Sequence, residues 1–155
     1  MYTFGKKSLM AYNTLHKDLQ LILDEVISVY DFSIICGIRT TEEQQSLFKA
    51  GKSKLDGIAR KSKHQGKIDD NGNLVSFAVD IMPYKKGTNA FSGKIKDKMR
   101  FYFLMGMVKI SAKRLLEEGK ITHTVRFGLD WDGDDIFSDQ SFDDLPHFEL
   151  KKIKG

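Results

Sequence analysis

Two histidines and two aspartates carry the chemistry that this sequence suggests. His64 lies in a basic loop, and Asp80 follows in the apolar stretch 74–81. A carboxylate in such a stretch needs a cation or several hydrogen-bond donors, because an unpaired charge is costly to bury. Asn71 and Gly72 form a strong hairpin signal between the two residues, and a hairpin that closes there brings His64 near Asp80. A metal ion is one partner that would satisfy the carboxylate.

A second histidine, His147, stands near the end of the chain, three residues after Asp144. Two imidazoles and one carboxylate are a typical set of catalytic zinc ligands and leave a fourth coordination position open. Such a zinc ion lowers the pKa of water to about 7 and polarises a carbonyl group. Hydrolysis also needs a group that accepts and returns a proton. Asp144 is the candidate, because Pro146 predicts an extended entry that lets this carboxylate lean over the site.

The order of these residues resembles the zinc peptidases of the VanY/D-alanyl-D-alanine carboxypeptidase family. Its signature Ser-x-His-x-x-Gly-x-Ala-x-Asp is similar to the set Ser62, His64, Gly66, Ala78 and Asp80. Its second motif, an acid three residues before a histidine, is similar to Asp144 and His147. Segments 32–40 and 126–131 resemble the phage endolysin branch of the family, which consists of L-alanyl-D-glutamate endopeptidases. The resemblance covers essentially the whole chain in order.

The resemblance implies a role for each matching residue. His64, Asp80 and His147 would be the ligands of Zn²⁺, and Asp144 would be the general acid and base. Arg39 matches the arginine that faces the substrate carbonyl or carboxylate, so it would bind substrate and stabilise the developing oxyanion. Ser62 would hydrogen-bond a ligand or the substrate. The chain departs from the family in the longer separation of His64 and Asp80, which predicts an inserted hairpin at 67–77.

The pattern of apolar residues predicts an α+β fold, with a small antiparallel sheet flanked by helices. By resemblance, this is the fold of hedgehog and D-alanyl-D-alanine peptidases, with the zinc site at the sheet. The predicted helices cover residues 12–30, about 41–50 after a capping box at 40–43, and about 95–118. The predicted strands cover residues 32–39, 74–81, 122–127 and 147–150, with a long loop at 51–66 and an acidic loop at 130–144.

Other residues that could do chemistry have structural explanations. Cys36 lies in an apolar run and is interpreted as a buried hydrophobe. His16 and His123 are interpreted as structural, and the methionines and phenylalanines of segment 99–107 as core. Trp131 is either core or a substrate-binding wall of the cleft.

Two acidic segments could suggest calcium. The first, beginning at Asp69, lacks the glycine that an EF-hand loop needs at its sixth position and the helices that flank such a loop. The second, at 130–135, fails similarly and is interpreted as a solvated acidic turn.

Composition bounds the remaining possibilities. The chain has 155 residues, one cysteine and a net charge of +4, which is typical of one soluble domain, 1–155, without a separate wall-binding domain. The mild positive charge favours an anionic polymer such as murein, whereas no arginine-rich stripe of the nucleic-acid type is present. No apolar stretch is long enough for a membrane span, and the N-terminus lacks the apolar core of a secretory signal. We expect a monomer without nucleic-acid or membrane partners.

These observations predict a zinc-dependent peptidase that cleaves the peptidoglycan stem peptide, with the L-alanyl-D-glutamate bond implied by the resemblance. Synthesis in the host cytoplasm and action on the cell wall after a holin opens the membrane would fit the missing signal. The nearest alternative is a D,D-carboxypeptidase with the same zinc centre. A remoter one is a non-catalytic basic module that holds glycan or nucleic acid.

Overall fold

The computed structural model describes residues 1–153, so the last two residues of the predicted 1–155 domain lie outside the described part. The helices are α1 (Lys6–Tyr12), α2 (Lys17–Val29), α3 (Thr41–Lys49) and α4 (Ile95–Glu117), with a 3₁₀ turn at Lys63–Gln65. The strands are β1 (Phe32–Cys36), β2 (Lys67–Ile68), β3 (Leu74–Val75), β4 (Ala78–Pro83), β5 (His123–Phe127) and β6 (His147–Lys152).

Four strands form an antiparallel sheet in the order β1-β4-β6-β5, and β2 pairs with β3 in a separate hairpin. Helices α2 and α4 pack against each other, and α4 packs against β4 and β5. On β4, Val79 and Ile81 point into this core, whereas Asp80 lies on the opposite face, as strand alternation requires. The predicted α+β class is confirmed, and the sheet separates the apolar core from the face that carries Asp80.

The start of the first predicted helix, 12–30, is wrong. The chain forms a separate helix, α1, and turns at Asn13–Leu15 before α2 begins at Lys17. His16 separates the two helices, because its Nδ1 accepts a hydrogen bond from the Asp18 amide and so caps the N-terminus of α2. Helices α3 and α4 lie where the sequence predicts them, and α3 begins with the predicted capping box of Thr40 and Glu43.

The predicted strand 74–81 is two strands. Leu74–Val75 pairs with Lys67–Ile68 in the inserted hairpin, and β4 starts only at Ala78. Ser76 lies between them, and its backbone binds the turn before α2: its amide donates to Thr14 O at 2.8 Å and its carbonyl accepts from His16 N at 2.9 Å. A tertiary contact therefore interrupts a locally continuous strand pattern.

The strand predicted over 32–39 ends at Cys36, where the register against β4 shifts. At Gly37 the backbone passes very close to α1, and a Cβ there would overlap the Thr14 side chain and the Ala11 carbonyl. This close approach needs a glycine, and the strand ends just before it.

The apolar segment of α4 is only partly core. Phe101 and Met105 are buried, whereas Met99 and Phe103 are exposed, so the prediction that all of them pack in the core is wrong. The helix turns two of these positions outward, and the Phe103 ring lies 5.3 Å from the ring of Tyr30, measured between centroids. Within residues 1–153, none of the helices combines the length and the hydrophobicity of a membrane span.

Candidate active site and metal centre

His64 lies in the short 3₁₀ turn, which local hydrogen bonds hold in place. Ser62 and Gln65 form a capping box around the turn, in which Ser62 Oγ accepts from His64 N at 3.3 Å. The His64 carbonyl also accepts from Arg39 N at 2.7 Å, which ties the turn to the chain after β1. The imidazole is 2% exposed. Ser62 therefore acts on the backbone that presents His64.

Asp80 and His147 lie side by side because β4 and β6 pair in that register. Asp80 Oδ1 is 3.0 Å from His147 Nδ1 and 3.2 Å from His64 Nε2. The two ring nitrogens are 3.2 Å apart, so the three atoms form a nearly equilateral triangle. The structure thus brings together the three residues that the sequence suggested as metal ligands, across separations of up to 83 residues.

The triangle matches the geometry that zinc requires. Zinc binds histidine nitrogen and carboxylate oxygen at about 2.0–2.1 Å, and a tetrahedron with such bonds has edges of about 3.3 Å. The observed edges of 3.0–3.2 Å are close to this value. Two nitrogens, one oxygen and an open fourth direction therefore fit a Zn²⁺ ion without movement of the backbone.

The second nitrogen of each ring is bound to an acceptor, which fixes the direction of the first. His64 Nδ1 lies 2.7 Å from Gly37 O, and His147 Nε2 lies 3.1 Å from Glu149 Oε2. When these nitrogens carry the proton of a neutral ring, the lone pairs of His64 Nε2 and His147 Nδ1 can bind an ion that lies between them and Asp80. Partners of this kind orient histidines that bind metals.

Cys36 is more than the buried hydrophobe that the sequence predicted. The register shift in β1 sets it opposite Asp80, and its sulfur lies 3.6 Å from His64 Nδ1 and 3.4 Å from Arg39 Nη2. Burial raises the pKa of the thiol, but the hydrogen bond with His64 and the charge of Arg39 outweigh this effect and lower it. Cys36, His64 and Asp80 could also hold a metal. However, the sulfur approaches the imidazole on the nitrogen that Gly37 already binds, so the set with His147 fits better.

The charges of the triangle are strongly coupled. Burial opposes the ionised form of Asp80, yet the hydrogen bonds to His147 and His64 lower the pKa of this carboxyl well below its usual range. Burial likewise disfavours the imidazolium of His64, but Asp80 and Cys36 raise its pKa to about 10. Without a metal ion these contacts favour protonated rings beside an ionised Asp80, so a metal ion that binds there must displace protons.

Asp144 lines the same cleft as the three residues of the triangle. Leu145 and Pro146 form a tight turn that His147 N closes on Asp144 O at 3.1 Å. The extended entry predicted from Pro146 is therefore wrong, and the turn itself folds Asp144 back toward His147. Burial raises the pKa of the Asp144 carboxyl; His147 opposes this shift and Asp80 reinforces it. A carboxyl group with a raised pKa can exchange protons more readily near neutral pH.

Arg39 points toward the triangle, but its guanidinium already has protein partners. Nη1 donates to Gln44 Oε1 at 2.8 Å, and Nη2 lies 3.6 Å from Asp80 Oδ2. Gln44 is fully buried and also donates to Ser53 Oγ and Leu55 O, so it joins Arg39 to the loop after α3. Gln44 was not singled out in the sequence, because a glutamine in a short amphipathic helix gives no local signal of such contacts.

The cleft has a volume of about 580 Å³. Trp131 forms part of its wall, with its ring centroid 5.5 Å from that of His147 and its Nε1 donating to Phe142 O at 2.9 Å. Trp131 thus lines the cleft, and its contact with substrate stays a prediction. The guanidinium of Arg126 lies over the same indole, at 5.5 Å from its centroid.

Glu149 is a second residue that sequence reasoning missed. It is 5% exposed and binds His147 through one oxygen, while the other accepts from Arg126 Nε at 2.9 Å and lies 3.5 Å from Lys63 Nζ. Burial opposes its ionisation, but His147 and the two cations lower its pKa to about 2. The sequence does show an acidic residue two positions after His147. The alternation of polar and apolar residues in a strand explains this spacing equally well, so it did not identify Glu149.

Two other clusters have protein partners of their own. Asp18 Oδ2 accepts from Thr122 N at 2.8 Å and from His123 Nδ1 at 2.8 Å, which supports the structural interpretation of His123. The Asp130 carboxylate accepts three backbone amides of its acidic loop, those of Gly133, Asp134 and Asp135.

The arrangement is that of a hydrolase: a cleft large enough for a peptide, a candidate cation site and an acid beside it. The family described as phage L-alanyl-D-glutamate peptidase matches residues 1–151, and the chain therefore belongs to that family. The resemblance inferred from the motifs is thereby confirmed, and with it a peptidase of the phage endolysin class that acts on peptidoglycan.

A solved structure supports the same fold. The chain is similar to the crystal structure of the L-Ala D-Glu endopeptidase ChiX from Serratia marcescens, with a TM-score of 0.59 and 20% sequence identity. The similarity covers 96% of this chain and 90% of that chain. No match was found among curated protein sequences.

Proposed function

We propose that the protein hydrolyses the L-alanyl-D-glutamate bond of the peptidoglycan stem peptide with a zinc ion held by His64, Asp80 and His147. The triangle of ligand atoms, with edges of 3.0–3.2 Å, is the observation that carries the proposal. When bound, zinc would activate a water molecule and polarise the scissile carbonyl. The acceptors on the second ring nitrogens, Gly37 O and Glu149, support the same set of ligands.

Asp144 would transfer the proton. Its carboxylate takes a proton from the attacking water as the new C–O bond forms at the alanyl carbonyl carbon. It then gives this proton to the glutamyl nitrogen as the C–N bond breaks, which leaves an alanyl carboxylate and a free D-glutamyl amine. Burial of Asp144 in the cleft and its raised pKa support this role.

Arg39 would stabilise the negative charge that develops on the carbonyl oxygen. The contact with Gln44 and the ion pair with Asp80 would hold its guanidinium at the edge of the metal site. Ser62 would position His64, and Trp131 would provide a flat wall along which the stem peptide lies. We propose that a monomer performs the reaction on the cell wall after release from the host cytoplasm.

Mass spectrometry of digested murein tests the reaction. Hydrolysis as proposed releases fragments with a new D-glutamyl amine, from protein that contains about one zinc ion per chain. Release of terminal D-alanine would instead identify a D,D-carboxypeptidase. Intact murein after treatment with the zinc-loaded protein would contradict both reactions. The remaining hypothesis would then be the non-catalytic binding module.

A further inference from the structure

Three lysines of the loop after α3 line the cleft and lack carboxylate partners within the described part of the chain. Lys52, Lys54 and Lys61, here called the lysine wall, all line the cleft that holds the triangle. The ion pairs of this cleft involve Arg39, Lys63 and Arg126, and the lysine wall takes part in none of them. Lys54 Nζ lies over the Phe142 ring, at 5.1 Å from its centroid, a contact that leaves its charge without a carboxylate. The positive charge of the lysine wall is therefore available to a ligand.

The backbone that carries the lysine wall is fixed, although it forms neither helix nor strand. Gln44 donates to Ser53 Oγ at 2.8 Å and to Leu55 O at 2.7 Å, and Gln65 Nε2 donates to Gly57 O at 2.9 Å. Gly57 has a φ of +81° and lies against the Gln44 side chain. These bonds hold the loop against α3 and the 3₁₀ turn, so the backbone from which these lysines extend has a defined position beside the cleft.

The other cations of the cleft already have partners. Arg126 and Lys63 both bind Glu149, and Lys63 Nζ also donates to Leu150 O at 2.5 Å. Arg39 divides its donors between Gln44, Cys36 and Asp80. A substrate carboxylate that enters the cleft would therefore meet available positive charge on the lysine wall.

The proposed substrate carries such a group beside the scissile bond. A glutamyl residue has two carboxyl groups, and only one of them can continue the chain. The other is a free carboxylate unless it is amidated, and it lies within a few bonds of the nitrogen that is released. An anion in this position matches the cations that line the same cleft as the metal site.

We propose that the lysine wall binds the free carboxylate of the D-glutamyl residue, so that the enzyme distinguishes this residue from its amidated form. The proposal rests on the proposed function and adds which group of the substrate the enzyme recognises. Because the lysines are solvent-exposed, we expect each contact to contribute about twofold to fivefold in affinity. Together they should favour the carboxylate over the amide by about tenfold.

Titration calorimetry with two peptides tests this without requiring hydrolysis. One begins with D-glutamate and represents the leaving product; the other differs only in that its free carboxylate is an amide. We expect the wild-type protein to prefer the first by about tenfold at low salt, and the preference to shrink at about 1 M salt. The variant K52Q/K54Q/K61Q should bind both peptides with the affinity that the wild type has for the amide.

The matched control is K94Q/K96Q/K98Q, which removes the same charge from exposed positions outside the cleft. It should keep the preference for the carboxylate. Equal binding of both peptides by the wild type would contradict the proposal that the lysine wall binds the carboxylate. A preference that survives in K52Q/K54Q/K61Q would contradict it as well. If the protein prefers the carboxylate peptide but its murein digest lacks D-glutamyl amines, the proposed reaction is refuted. The role of the lysine wall in binding the carboxylate would then still stand.

Discussion

At the scale of single residues, the candidate centre depends on groups that hold the proposed ligands as much as on the ligands themselves. Gly37 O contacts one nitrogen of His64 and Glu149 one nitrogen of His147, and the other nitrogen of each ring lies beside Asp80. Glu149 is in turn held by Arg126 and Lys63. The direction of each ring is therefore determined before any cation enters.

Glu149→Gln tests the acceptor on His147. The amide keeps the size of the side chain but removes the charge that supports His147 Nε2 and balances Arg126 and Lys63. We expect zinc affinity to fall about 10-fold to 100-fold, as measured by competition with a chromogenic chelator. Glu118→Gln, at an ion pair just after the end of α4 and outside the cleft, should leave zinc affinity unchanged. Equal zinc affinity in both variants would show that Glu149 does not orient the ring.

Asp144→Asn tests the proton transfer. The amide has nearly the shape of the carboxylate but cannot accept the proton, so kcat should fall about 100-fold or more. Zinc content, measured by atomic emission, should stay at the wild-type level because Asp144 is outside the proposed ligand set. Lysis of murein at the wild-type rate by this variant would refute the role of Asp144.

At the scale of elements, the site lies where separate parts of the chain meet. Pairing of β4 with β6 aligns Asp80 with His147, and the chain after β1 supports the turn that carries His64. The start of α2 is joined to the start of β5 by Asp18, whose carboxylate binds Thr122 and His123. The stability of that junction can be measured separately from the site.

Asp18→Asn should weaken this junction in a pH-dependent way. Burial opposes the charge of Asp18, but the hydrogen bonds from Thr122 and His123 outweigh it and lower the pKa of its carboxyl. A lowered folded-state pKa gives stability that is fully present above the unfolded pKa of about 3.9 and is lost as the pH falls through the folded value. We expect the variant to lose about 1–3 kcal/mol of unfolding free energy at pH 7.

Urea unfolding at neutral and acidic pH measures the effect, and the difference between Asp18→Asn and the wild type should shrink below about pH 4. The control is Asp70→Asn, at an exposed position of the inserted hairpin. A difference for Asp18→Asn that is the same at both pH values would contradict the ionic contribution of Asp18.

At the scale of the whole molecule, a bound metal would connect the 3₁₀ turn, β4 and β6, which lie far apart in the sequence. The sheet carries the apolar core of α2 and α4 on one face and the candidate centre on the other. An ion that binds only the folded chain therefore stabilises the whole domain.

Removal of zinc should lower the melting temperature. Zinc at about 1,000 times its dissociation constant adds about 4 kcal/mol, which corresponds to about 8–16 °C for a domain of this size. Differential scanning calorimetry with and without a chelator measures the shift, and added zinc should reverse it. His64→Gln should show no response to the chelator. A wild-type melting temperature that does not change with the chelator would contradict the metal centre.

Much of the site could be predicted from the sequence alone. The residue types and their order gave the family, and local signals predicted α3, α4 and the hairpin turn, because capping boxes and periodicity are properties of short segments. The convergence of His64 and Asp80 also followed from that turn. The prediction of one continuous strand at 74–81 was wrong because the Ser76 backbone binds a turn that is distant in the sequence. No local pattern encodes such a contact.

The sequence by itself determined which side chains were available for the chemistry and which helices would support them. Tertiary structure alone decided the register of β4 against β6, the shift that sets Cys36 beside His64, and the contacts of Gln44 and Glu149. The physical reason is that strand register and buried polar contacts depend on segments remote in the chain. Their partners are chosen only when the sheet and its loops pack together.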